Sequence, residues 1–147
     1  MTSVPPDAEP HIRAVQAALA TYLATLPTPA GSTFGPGIAA YIGTRPDADI
    51  HCVVIHGSPG DLSGTLADRY ADIVVPVQLT AVGEGPEQAA AYADSARKAL
   101  LTAALTVTGR RVWPARQVAS QPPQRDDTVQ PSLWIATVQY EITSNPA

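Results

Sequence analysis

Three residues of metal-ligand type, His51, Cys52 and His56, fall within one short run. The segment Ile50 to His56 is apolar enough to be a strand, and side chains on a strand alternate between its two faces. His51 and His56, an odd number of positions apart, therefore diverge. Cys52 and His56 share a face but stand about 13 Å apart along a strand. One zinc-like ion needs all its ligand atoms within about 2.3 Å, and the sequence holds no second Cys/His cluster. The pattern predicts a buried thiol and two surface or rim histidines.

The same region offers His56, Ser58 and Asp61, the residue types of a base, a nucleophile and an orienting acid. Gly57-Ser58-Pro59-Gly60 lacks the flanking glycines of a nucleophile elbow, and these residues also make an ordinary turn. Gly57 to Gly64 contains no lysine for a phosphate, and Gly83-x-Gly85 lacks the third glycine of a dinucleotide cradle. Asp126-Asp127 reads as two solvated carboxylates in a Pro-rich loop. Arg110-Arg111 is a basic step too short to grip nucleic acid. No catalytic constellation, cofactor cradle or metal set emerges, so the chain reads as a protein that assembles and not as an enzyme.

The bulk properties agree. A chain of 147 residues is most simply one domain over 1–147, with 1–8 as an N-terminal arm and 144–147 as a C-terminal tail. Hydrophobic content of 45% is ordinary for a globular chain. No apolar run approaches the ~18 residues of a membrane span, and the N-terminus lacks the basic and apolar regions of a signal peptide. The single cysteine excludes an intrachain disulfide and fits a reducing compartment. A net charge of −4 argues against a surface that holds DNA, which needs clustered cations.

Two periodicities frame the fold. Ile73, Val75, Val77, Leu79 and Ala81 recur every second residue, the mark of a strand with one buried face. After Gly83-Glu84-Gly85-Pro86 the spacing becomes helical, with Ala89, Ala93, Ala96 and Leu100 on one stripe. An earlier helix is expected from Glu9 to Leu26, where Ile12, Val15, Leu19 and Leu23 share a face. Ile38 to Ile42 and Ile50 to His56 are strand candidates, followed by a loop or hairpin tip up to Tyr70. Pro76 must lie at a bulge or face an open edge, since it cannot donate to a ladder. Strands are expected again at Val112–Ala119 and Leu133–Thr143, with Ser120 to Gln130 as a polar turn. The fold class is α+β: two helices packed on one face of a mainly antiparallel four- to five-stranded sheet.

This order resembles the tail-terminator (minor tail) family of long-tailed bacteriophages. The likeness rests on Asp72-Ile73-Val74-Val75-Pro76-Val77-Gln78-Leu79-Thr80-Ala81, then Gly85-Pro86-Glu87-Gln88-Ala89, in which a V-x-V-Q-L-T strand precedes an E-Q-A helix. Val107 to Val112, Asp126-Asp127 and Trp134 to Ile142 extend it. The resemblance implies a subunit of a six-fold ring that caps the tail tube, ends its polymerisation and meets a head-completion protein. DNA then passes through the lumen without specific binding, and no cofactor is implied. The chain would reside in the virion, at the head-proximal end of the tail, after assembly in the host cytoplasm. A ring needs two different patches per subunit. Leu62, Leu66 and Tyr70 can supply one, or pack under their own loop. Arg110, Arg111 and Trp113 can supply another, or a face for the tube. A head–tail adaptor or stopper competes within the same class. A small cytosolic hydrolase or ligand-binding domain using the His56–Asp61 turn is the alternative from a different class.

Overall fold

The computed structural model describes residues 5–68, 70–129 and 132–147. Helix α1 (Glu9–Leu23) carries Pro10 in its first turn and buries His11, Val15, Leu19 and Leu23 at four-residue spacing. It ends before the expected Leu26. Thr25 N donates to Tyr22 O at 3.0 Å and Leu26 N to Leu23 O at 3.2 Å, tighter turns than a helix makes. Pro27 disfavours helical backbone at Leu26.

Strands β1 (Ala39–Ile42) and β2 (Cys52–Gly57) pair in parallel. Strand β3 (Asp61–Ser63) and the long β4 (Asp72–Gly83) follow, then helix α2 (Pro86–Thr102). Its joint is closed by the Gln88 side chain, whose Oε1 accepts from Glu84 N at 2.7 Å. Strands β5 (Arg110–Val112), β6 (Arg116–Ser120), β7 (Gln124–Asp126) and β8 (Leu133–Pro146) complete the sheet.

The sheet path is β1-β2-β4-β8-β5, with every pairing antiparallel except β1 with β2. It is therefore α+β, mixed and mainly antiparallel, but with eight strands among the described residues and not the expected four or five. The excess comes from two shared tracks. Strands β2 and β3 divide one side of β4, which pairs with β2 along Val77–Val82 and with β3 along Asp72–Val74. Strands β5, β6 and β7 divide the far side of β8. The strand expected over Val112–Ala119 is broken at Pro114, which has no N–H for the ladder. The polar turn after Ser120 contains β7, which pairs with the start of β8. Residues 144–146, set apart as a tail, continue β8 and pair with β5.

Pro76 sits in the gap between β2 and β3 on β4. Its carbonyl accepts from Ser58 N at 3.3 Å on that side. A residue's N–H and C=O point to the same side of a strand, so the missing donor falls where no ladder partner stands. Gly60 makes the gap possible. Its φ is +79°, and an added Cβ would lie 2.6 Å from Val74 O.

The core lies between the helices and one sheet face. Ile73, Val75, Val77, Leu79 and Ala81 of β4 join Ala136, Val138, Tyr140 and Ile142 of β8. Val15, Leu19 and Leu23 of α1 and Ala89, Ala96, Ala99 and Leu100 of α2 belong to the same cluster, α1 packing against β1 and β2 and α2 against β4 and β8. Among the described residues no helix is long and apolar enough to cross a membrane.

Candidate functional site

The Cys52 thiol is buried and His56 exposed, but His51, expected at a surface or rim, is buried. Cys52, Val54 and His56 lie opposite Val82, Thr80 and Gln78, on the sheet face turned away from the helices. His51 turns the other way. Its Nε2 donates to a Glu84 carboxylate oxygen at 3.0 Å, and its ring meets Tyr92 of α2 edge-on, centroids 6.4 Å apart. Among the described residues no group of three or more His, Cys, Asp or Glu is placed to hold a metal.

Cys52 is fully buried, and its Sγ faces Asp49 O at 3.8 Å. Burial, and secondarily the Asp49 charge, push its thiol up to about 12, which leaves too little thiolate for nucleophilic chemistry. Asp49 is itself buried and was not singled out by the sequence. Its carboxylate accepts from Tyr41 Oη at 2.5 Å and from His51 N at 3.2 Å. Tyr41 is consequently shifted upward, by burial first and the Asp49 hydrogen bond second. Arg45 donates to the carbonyls of Pro46, Asp47 and Asp49. These bonds brace the short return between the parallel strands, so the knot is structural.

His56 and Ser58 line a concave region of about 330 Å³ with Pro76, Gln78, Gln139 and Glu141. A hydrolase would need a base within hydrogen-bond reach of its nucleophile. Among the described residues no hydrogen bond joins His56 to Ser58 or Asp61. Asp61 is instead paired into β3, opposite Val74. Glu141 is occupied by Arg116 at 2.7 Å.

Asp126 and Asp127 are also satisfied locally. Asp126 accepts from Thr128 Oγ1 at 2.5 Å and Thr128 N at 3.0 Å, which hold its carboxyl below the usual range. Asp127 is lowered by Arg125 first, at 2.5 Å, and by Ser132 second, at 2.8 Å.

The assembly candidates divide into two groups on opposite edges of the sheet. Leu62 (41% exposed), Leu66 (95%) and Tyr70 (53%) lie on the protrusion around β3, outside β4. Trp113 (48%) follows β5, outside β8, and its backbone N donates to Thr143 O at 2.9 Å. The Arg111 guanidinium stands 5.5 Å from the Trp113 ring centroid, a cation–π contact. The Trp113 indole N–H is held by Asn145 Oδ1.

Arg110 differs from its neighbour. Its Nε donates to Ser144 Oγ at 3.1 Å and its Nη2 to Ser144 O at 2.9 Å. Ser144 also meets His11 Nε2 at 2.6 Å, while His11 Nδ1 lies 2.8 Å from Asp7 O. A carbonyl only accepts, so Nδ1 carries the ring proton, and the Ser144 hydroxyl donates to Nε2. Burial, with Arg110 opposing a second positive charge, lowers the His11 pKa despite the Asp7 bond that raises it. Sequence reading passed over His11, although it continues the Val15, Leu19, Leu23 spacing.

No family model and no curated protein matches the chain. Among solved structures it is similar to a chain in the virion of a native gene transfer agent (GTA) particle, with a TM-score of 0.63 and 14% identity over 95% of both chains. The likeness is one of fold.

Proposed function

We propose that this chain is a structural virion subunit of a phage-like particle. In this reading it forms a ring that caps the end of the tail tube, stops tube polymerisation and joins the tail to the head connector. The observation that carries the virion role is the fold likeness to a virion chain along 95% of both lengths. The finer role rests on the resemblance of the β4–α2 segment to tail terminators and on two exposed patches at opposite edges of one sheet. Patches on opposite edges suit a heterologous contact, the kind that closes a ring. Its partners are then further copies of itself, the tail-tube protein and a head-completion protein, with no cofactor. The acidic balance, −4 overall, suits a passage that DNA traverses without being held.

A head–tail adaptor or stopper would share the fold and the patches. Electron microscopy of tails assembled with and without the chain separates them. A terminator's loss gives overlong tubes, whereas a stopper's loss gives tubes of normal length that fail to join heads. Normal tails joined to heads without the chain would sink both readings.

A further inference from the structure

The strand register places Asp61 on one open edge with Asp72 one strand inward, and Arg111 on the other edge, at adjacent levels and on the same sheet face. Asp61 lies opposite Val74, Val74 opposite Thr143, and Thr143 O receives Trp113 N. One row further, Ser63 lies opposite Asp72, and Arg111 lies opposite Asn145. Directly opposed residues share a face, and Asp61, Val74, Thr143 and Trp113 share the one turned from the helices. Asp72, two residues from Val74, and Arg111, two from Trp113, point the same way. Among the described residues Asp61, Asp72 and Arg111 have no ion-pair partner within the chain.

Strand directions favour the same junction. Strand β3 runs antiparallel to β4, β4 to β8, and β8 to β5. If the β5 edge of a second copy lies beside β3, the alternation continues across the boundary. Among the described residues both strands pair on one side only, which leaves open edges of the kind that accept another strand. Leu62 within β3 and Leu66 beyond it are exposed at one edge, and Trp113 just after β5 is exposed at the other.

We propose that the β3 edge of one copy docks on the β5 edge of the next, with Asp61 and Asp72 facing Arg111 on the side of the sheet turned from the helices. The occupant of each edge is a second copy of this chain. The proposal deepens the ring reading above and rests on it only for the biological setting. The contact is heterologous, so it propagates head to tail instead of stopping at a pair. Like charges brought together at an interface oppose association, and restoring complementarity relieves them.

The test is a charge-reversal cycle on the full chain, measured by light scattering over a concentration series and by electron microscopy of tails. Asp61→Arg and Arg111→Asp, each folded by circular dichroism, should fall to the 15.3 kDa of one chain, and the double reversal should recover the wild-type mass. Single reversals that assemble like wild type, or a double reversal no better than either single, would overturn the contact. So would a wild-type chain that stays monomeric both alone and on tails. Rings insensitive to reversal that still cap tails would remove this contact and leave the ring reading standing. A charge-rescued oligomer whose loss has no tail phenotype would do the reverse.

Discussion

The two faces of the sheet use the same strands for different ends. On the helix side, Ile73, Val75, Val77 and Ile142 are at most 1% exposed and belong to one core with residues of both helices. On the other side a small apolar cluster of Cys52, Val54, Val82 and Leu133 occupies one end, and His56, Gln78 and Gln139 form a polar row beyond it. Among the described residues no helix covers that row. The closed face holds the fold together, and the open face and its two edges are free to meet other molecules. Period-two alternation in β4 and β8 is what allows one strand to serve both.

That contrast fails if the faces carry equal weight in stability. Leu19, fully buried on the inner face of α1, is the sharpest probe. Leu19→Ala should cost about 2–5 kcal/mol, the lost transfer energy plus the cavity it leaves. Gln139→Ala, exposed on the open face, should change stability by less than ~0.5 kcal/mol. Urea denaturation of both variants decides the matter. A comparable loss in the two would mean that the open face is also core.

The closed face also carries a buried polar group, the His11–Ser144–Arg110 chain. Ser144→Ala should cost about 1–3 kcal/mol, because it strands the buried His11 Nε2 and the Arg110 Nε–H. The pH dependence follows from the His11 shift. Its folded pKa lies below the ordinary 6.5, so between the two values the unfolded chain binds more protons. The stabilisation is complete above 6.5 and is lost as pH falls towards the depressed folded value. His11→Gln, which cannot titrate, should flatten the stability profile across that window. An unchanged profile would show that His11 ionises equally in both states.

Much of the closed face was legible in the sequence, and little of the edges was. The β4 alternation, the Gly85-Pro86 joint and the α2 stripe are local signals, complete within a few residues. Strands β3, β6 and β7 are short and mostly exposed, so they carry no hydrophobic period. They exist because β4 and β8 are long enough to be shared by several partners. His11 and Ser144 stand 133 residues apart, and nothing local announces their bond. The adjacent Arg110 and Arg111 looked alike as a basic step. Only the register shows that one turns inward to Ser144 and the other outward beside Trp113. The candidate contact residues were legible as residue types, while their division between two opposite edges required the topology.

A smaller effect is expected from the Arg116–Glu141 pair on the open face. It is close, 2.7 Å, but the Arg116 side chain is 73% exposed. Solvent screening limits such pairs to roughly 0–1 kcal/mol. A double-mutant cycle with Arg116→Ala and Glu141→Ala should give a coupling in that range, diminished by salt. A coupling well above it would mean that this region is shielded from water and that the open face is less open than its strands indicate.

The smallest effect on stability, and a large one on assembly, belongs to Leu66→Asp. At 95% exposure Leu66 contributes almost nothing to its own fold, so the variant should unfold within about 0.5 kcal/mol of wild type. An apolar residue so exposed, with Leu62 and Tyr70 exposed on the same protrusion, is the kind of surface that another protein covers. If that protein is a neighbouring copy, the variant should remain a folded single chain at concentrations where wild type associates. Loss of stability matching the loss of association would place Leu66 inside its own fold, and the division between closed face and contact-making edge would no longer hold at this loop.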